Sequence, residues 1–200
     1  ICFLLGTPWA VLGFWNAVIG LWLCHGERDP IAEAAPFLSD ADPARRSIAV
    51  ETAVLMTVRN EHPERALQRL RTLKASLDAT GEGAHFAYFI LSDTQIADVA
   101  AREERAVAQW RAQEGGGARI VYRRRSRNTG FKAGNVRDFC ETYGRNFELM
   151  LPLDADSLMT GPAIIDQVRV MQAPPKLGIL PSPVVGMPSA SPFARIFQFG

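Results

Sequence analysis

At 200 residues and a net charge of +1, the chain has room for one ordinary α/β domain and an appendage, and its overall charge gives no basis for binding polyanions. Its three cysteines are scattered as Cys2, Cys24 and Cys140, with no CxxC pair, so neither a disulfide framework nor a zinc site is indicated and a reducing compartment is expected. Nearly half the residues are hydrophobic, but they are distributed unevenly.

Residues 1–24 (ICFLLGTPWAVLGFWNAVIGLWLC) contain no Asp, Glu, Lys or Arg. As a helix they would span roughly 36 Å, enough to cross a hydrocarbon core of about 30 Å. Gly6, Gly13 and Gly20 fall on nearly one face, a smooth stripe suited to a neighbouring transmembrane helix, and Trp22 sits near the polar exit. A signal peptide would call for a basic start, a shorter apolar region and a small-residue cleavage site, none of which is visible. One transmembrane helix is expected. Charge does not set its orientation, because only one flank can be read. The chain opens on Ile1 and ends on Gly200 within structured-looking sequence, and it is expected to be a fragment.

Residues 25–46 are polar, carry three prolines and read as a linker. From 47 to 200 the pattern becomes regular. Apolar strands are expected over 48–58, 85–91, 119–123, 147–153 and 177–180, with helices over 63–79, 95–113, 134–145 and 162–172. The first of these helices opens on Pro63 and Glu64 and stripes Leu67, Leu70, Leu73 and Leu77 along one face. Repeated β-α-β with continuous apolar strands predicts an α/β fold whose mostly parallel sheet is flanked by helices.

Ligands of such sheets bind beyond the carboxyl ends of the strands, and the conspicuous polar residues fall there. Arg59, Asn60 and Glu61 follow the first strand, and Asp93 the second. A basic loop and the helix opening GFKAGN follow the third, and Asp154 and Asp156 (LDADS) the fourth. Any one of these groups is ordinary turn chemistry; four in succession predict a site. Two carboxylates one residue apart at a strand end can both face one site if the chain turns there, one binding a hard cation, Mg²⁺ or Mn²⁺, which substrate phosphates commonly complete, and the other holding a neighbouring hydroxyl. Gly130 and Gly134 allow close backbone approach, and Lys132 and a helix start favour an anion such as a diphosphate. Arg123, Arg124, Arg125 and Arg127 add positive potential, or form a solvated basic patch facing lipid headgroups. A nucleic-acid role lacks any recognition module. The place of a dinucleotide fingerprint is taken by RNEHPE, and no P-loop occurs.

VRNE, then Asp93, KAGN and DAD, in that order, resemble the inverting family-two glycosyltransferases of GT-A fold. The longer strings HFAYFILSDT, VYRRRSRNTGFKAGNVRDFCE and LDADSLMTG are similar to its bacterial inner-membrane branch that builds periplasmic glucans, over roughly residues 48–200. The resemblance implies a UDP-glucose donor, a β-glucan acceptor, a divalent cation and a cytoplasmic catalytic domain. It implies that Asp93 holds uracil, that Asn60 and Glu61 lie beside the nucleotide, and that Lys132 and Asn135 lie near the diphosphate. Asp154 would lie near the ribose or the metal, and Asp156 on the metal. His62 and Asp138 are expected to be structural. The family's catalytic base and tryptophan-containing acceptor motif are not recognisable before Gly200, and Asp166, on a helix, is a poor candidate. Related synthases of cellulose or hyaluronan type, sugar transferases acting on lipid phosphates, and a nucleotide-sugar sensor without catalysis remain as alternatives.

Overall fold

A computed structural model describes residues 2–29, 33, 47–115, 119–173, 177–182, 186 and 189–193. Most of the expected linker lies outside them. The apolar segment forms α1 (Cys2–Gly26), ending two residues later than expected, with His25 in its last turn. Pro8 inside this helix cannot donate a backbone hydrogen bond, and the Thr7 hydroxyl donates to the Phe3 carbonyl at 2.6 Å. The stretch Gly6–Gly26 is long and apolar enough to cross a membrane, and none of it is buried against the rest of the chain. A Cβ added at Gly6, Gly13 or Gly20 would meet nothing within 4 Å, so the glycine stripe faces outward.

The remainder runs β1 (Thr52–Val58), α2 (Pro63–Asp78), β2 (Phe86–Ser92), α3 (Ala97–Glu114), β3 (Ile120–Arg124), α4 (Phe131–Tyr143), β4 (Leu149–Asp154) and α5 (Gly161–Gln172). All strand pairs are parallel, in the order β3-β2-β1-β4. A parallel crossover is right-handed almost without exception. The chain steps β1→β2→β3 in one direction, so α2 and α3 share one face. It then returns from β3 to β4, which puts α4 on the other.

The core has the same two sides. On one, Val54, Met56, Tyr88 and Ile90 pack with Leu67, Leu70, Leu73 and Leu77 of α2, Val107 and Trp110 of α3, and Ile164, Ile165 and Val168 of α5. On the other, Ala53, Leu55, Ala87, Phe89 and Leu91 pack against Phe139 of α4. Phe89 and Phe139 meet edge to face at 4.8 Å between ring centroids, and Phe147 caps Phe89 at 5.5 Å.

Two expectations are corrected. Residues 177–180 form no strand, and Ile179 is 84% exposed; LGIL has a strand's composition but pairs with no strand among the described residues. The helix expected from 134 begins at Phe131, because Gly130 supplies the left-handed turn (φ 70°) that enters it. Lys132 and Asn135 therefore sit in its first turns.

Candidate functional site

The strand order reverses between β1 and β4, and the crevice outside such a switch point is where open α/β sheets bind ligands. Asn60 and Glu61 leave β1 there, and Asp154 and Asp156 leave β4. Ala155, between the two aspartates, is buried, and its carbonyl accepts from Arg69 Nη1 of α2 at 3.0 Å. The turn closes with the Ser157 N–H donating to the Asp154 carbonyl at 3.0 Å. With the middle residue pinned inward, both aspartates are left exposed at the strand end.

Lys132 reaches across from α4 to form an ion pair with Asp154, both side chains largely exposed. Asp156 forms no hydrogen bond or ion pair among the described residues. The Glu61 carboxyl is pushed above its ordinary value, first by burial and then by the nearby charges of Asp156, Asp154 and Glu103, with Arg69 opposing. Three carboxylates thus press negative potential on one mouth, where a cation would relieve them. No three acidic, His or Cys side chains cluster tightly enough to enclose a metal among the described residues. The donor set fits a hard ion held by one or two carboxylates and completed by a ligand's oxygens, rather than an all-protein cage.

Asp93 sits differently from what the resemblance implies on its own. Its side chain is 7% exposed, and both carboxylate oxygens accept from Arg125, Nε at 2.7 Å and Nη2 at 2.8 Å. Arg125 also donates to Asp138 Oδ2, the Thr129 carbonyl and the Phe131 carbonyl, each at 3.0 Å. Asp93, and then Asp138, hold the guanidinium charged against the cost of its burial. Asp138, expected as a solvated helix residue, is instead a partner of Arg125. The arginine clasps the loop 129–131 onto the end of β2. A Cβ at Gly134 would lie 1.9 Å from the Thr129 carbonyl, so the loop packs this tightly only over a glycine.

Asn135 lies beneath this loop, buried, its amide donating to the Leu91 carbonyl at 3.2 Å and its side-chain oxygen accepting from Arg123. It fastens α4 to the sheet and does not open onto the mouth. Asn60 adopts a left-handed conformation (φ 55°). Its N–H donates to Thr94 Oγ1 at 2.9 Å, and its Oδ1 accepts from the Gln95 and Ile96 amides at 3.0 and 3.2 Å. Its side-chain oxygen is thereby committed to shaping the rim. His62 is the exposed residue before α2 and caps nothing with its ring. Asp166 lies on the exposed side of α5, 3.7 Å from Arg169.

Sequence reasoning passed over Glu103 and named Arg125 only as one of a run adding positive potential. Glu103 of α3 is 3% exposed and accepts the hydroxyls of Ser92 (2.6 Å), Thr94 (2.5 Å) and Tyr122 (2.9 Å). It ties the ends of β2 and β3 to the Asn60 turn through Thr94. Arg125 was hidden in a run of arginines. The signal was the two-residue period: Arg123 and Arg125 turn toward α4, while Arg124 lies 3.9 Å from Glu104 of α3.

A parallel α/β domain with acidic and basic groups gathered at its switch point, behind an apolar helix, is the class that fold and site define. No protein-family model matches the chain. It is 37% identical over 193 residues, 96% of its length, to the glucans biosynthesis glucosyltransferase H of Klebsiella pneumoniae. It is 36% identical over the same share to the proteins of that name from Enterobacter sp. strain 638 and Escherichia coli K12. The chain spans 22% of the length of these relatives. It is homologous to that stretch of them, in keeping with the resemblance carried by VRNE, KAGN and DAD.

Proposed function

We propose that this chain supplies the donor-binding part of a membrane-anchored, inverting glucosyltransferase that moves glucose from UDP-glucose onto a growing β-glucan. The observation that carries the reading is the mouth at the switch point, with Glu61, Asp154 and Asp156 on one side and Lys132 reaching over from the clasped loop. Homology to the glucosyltransferases named above supports the sugar and the product.

In this reading Asp156, with Asp154, would hold Mg²⁺ or Mn²⁺, which when bound neutralises charge developing on a leaving diphosphate. Lys132 exchanges Asp154 for phosphate oxygen and sets a point charge beside it. Asp93 and Arg125 hold the loop from below, and the carboxylate's remaining lone pairs accept the N3–H of uracil. The base that deprotonates the acceptor hydroxyl comes from sequence other than these 200 residues. Residues 1–24 span the bacterial inner membrane, beside other transmembrane helices at the glycine stripe, and leave the domain on the cytoplasmic side where nucleotide sugars are made.

Calorimetric titration with UDP tests the site. Affinity rises when Mn²⁺ or Mg²⁺ is added, and Asp156→Ala abolishes the rise. Equal metal dependence in the variant removes Asp156 from the site.

A further inference from the structure

Among the described residues two non-glycine residues have left-handed backbone, Asn60 and Phe131 (φ 47°). Asparagine visits this region readily, and its side chain here bonds the backbone across the rim. Phenylalanine has no such excuse; a bulky residue at positive φ is a strained outlier. The surroundings enforce the conformation. The Phe131 N–H donates to the Asn128 carbonyl at 3.0 Å, and its own carbonyl is held by Arg125. The ring gains no burial in return, being 63% exposed. One neighbour stands over it: the Arg59 guanidinium, 5.5 Å from the ring centroid.

The position of Phe131 follows from its bonds. Its backbone carbonyl is tied through Arg125 to Asp93 at the end of β2, and its ring meets Arg59 at the end of β1. The next residue, Lys132, points the other way, to Asp154 of β4. An anion at Lys132 and the aspartates would therefore have the Phe131 ring on its β1–β2 side. Amide groups edge that side: Gln95 Nε2 donates to Asn128 Oδ1 at 2.9 Å, and Asn128 Nδ2 to the Asp93 carbonyl at 2.9 Å. A flat π surface beside exchangeable donors and acceptors suits a planar heterocycle, which has both a face to stack and an edge to bond.

We infer that Phe131, backed by Arg59, is the stacking platform for the base of the nucleotide. The inference rests on the donor-site reading above and adds to it a residue that sets how tightly the nucleotide half is held. It also explains why a strained aromatic is kept on a clasped loop.

The test uses the full-length protein purified in detergent, with UMP, UDP and UDP-glucose as ligands. Phe131→Asn keeps a residue at ease in left-handed backbone and removes the ring; Phe131→Trp keeps an aromatic face. Stacking predicts that the Asn variant binds all three ligands more weakly by the same factor, about fivefold to a hundredfold. The Trp variant stays close to wild type, and the thermal midpoint of the Asn variant is unchanged or higher. Wild-type affinity for UMP in the Asn variant overturns the inference, as does a loss confined to UDP-glucose, which would put the ring under the sugar. If the wild type binds none of the three, the donor-site reading itself falls, and this inference with it.

Discussion

Asp93 and Asp156 are both aspartates at strand ends, yet they obey different physics. Asp93 and its arginine are almost fully enclosed, so removing the carboxylate leaves a buried guanidinium with two donors unmet and Asp138 as its remaining counter-charge. Asp93→Ala is expected to lower unfolding free energy by about 3–5 kcal/mol. Asp156→Ala, at an exposed position, should stay within about 0.5 kcal/mol. Urea titration of the two variants measures the contrast; similar midpoints would show that Asp138 and the loop carbonyls suffice to hold Arg125. Glu61 behaves differently again. Its carboxyl is raised by burial and by Asp156 and Asp154, so the folded state binds its proton more tightly than the unfolded chain does. Its contribution to stability is present below the ordinary carboxyl range and is lost as pH rises through the raised value. Glu61→Gln should remove that loss, leaving the variant's stability relative to wild type greater at pH 7 than at pH 4. A pH-independent difference would detach Glu61 from the acidic cluster.

The elements were legible because the strands are built on apolar runs and the helices on stripes, and all four strand ends could be placed to within a few residues. Residues 177–180 show where composition fails. LGIL has the apolar make-up of a buried strand, but pairing depends on a partner that no local pattern encodes. The groups at the mouth could be named from sequence, since polar residues after parallel strands converge by topology. Which of them face the mouth could not. Asn135 and Asp93 are both buried, Asn135 bonded to the Leu91 carbonyl and Asp93 to Arg125, and a hydrogen-bonding side chain reads the same in sequence whether its partner is a ligand or the protein. At this scale the loop 129–134 is the sensitive part. Gly134→Ala drives a methyl group into the Thr129 carbonyl, so the clasp must open. We expect a loss of about 1–3 kcal/mol and a weaker hold on UDP, with α4 still formed. Unchanged stability and unchanged affinity together would show that the loop is not set by this contact.

At the scale of the whole molecule, α1 buries nothing against the rest of the chain, while β1 and β2 carry a buried apolar cluster on each face. A spanning helix resists both high salt and alkali, so the protein should remain in the membrane fraction through a carbonate wash; release would mark α1 as peripheral. The strand order also has a consequence in time. β1 lies inside the sheet, but one of its neighbours is β2, made soon after it, and the other is β4. The Glu51 amide waits for the Glu148 carboxylate, 97 residues further on. At ribosomal speeds of about 5–20 residues per second, that flank of β1 stays unpaired for roughly 5–20 s after it is synthesised. During that interval the nascent chain carries a bare, largely apolar edge, Thr52–Val58, behind a segment long and apolar enough to cross a bilayer. Slowing translation between Val58 and Leu149 should lower the yield of folded protein, whereas slowing it after Asp154, once the sheet has closed, should not.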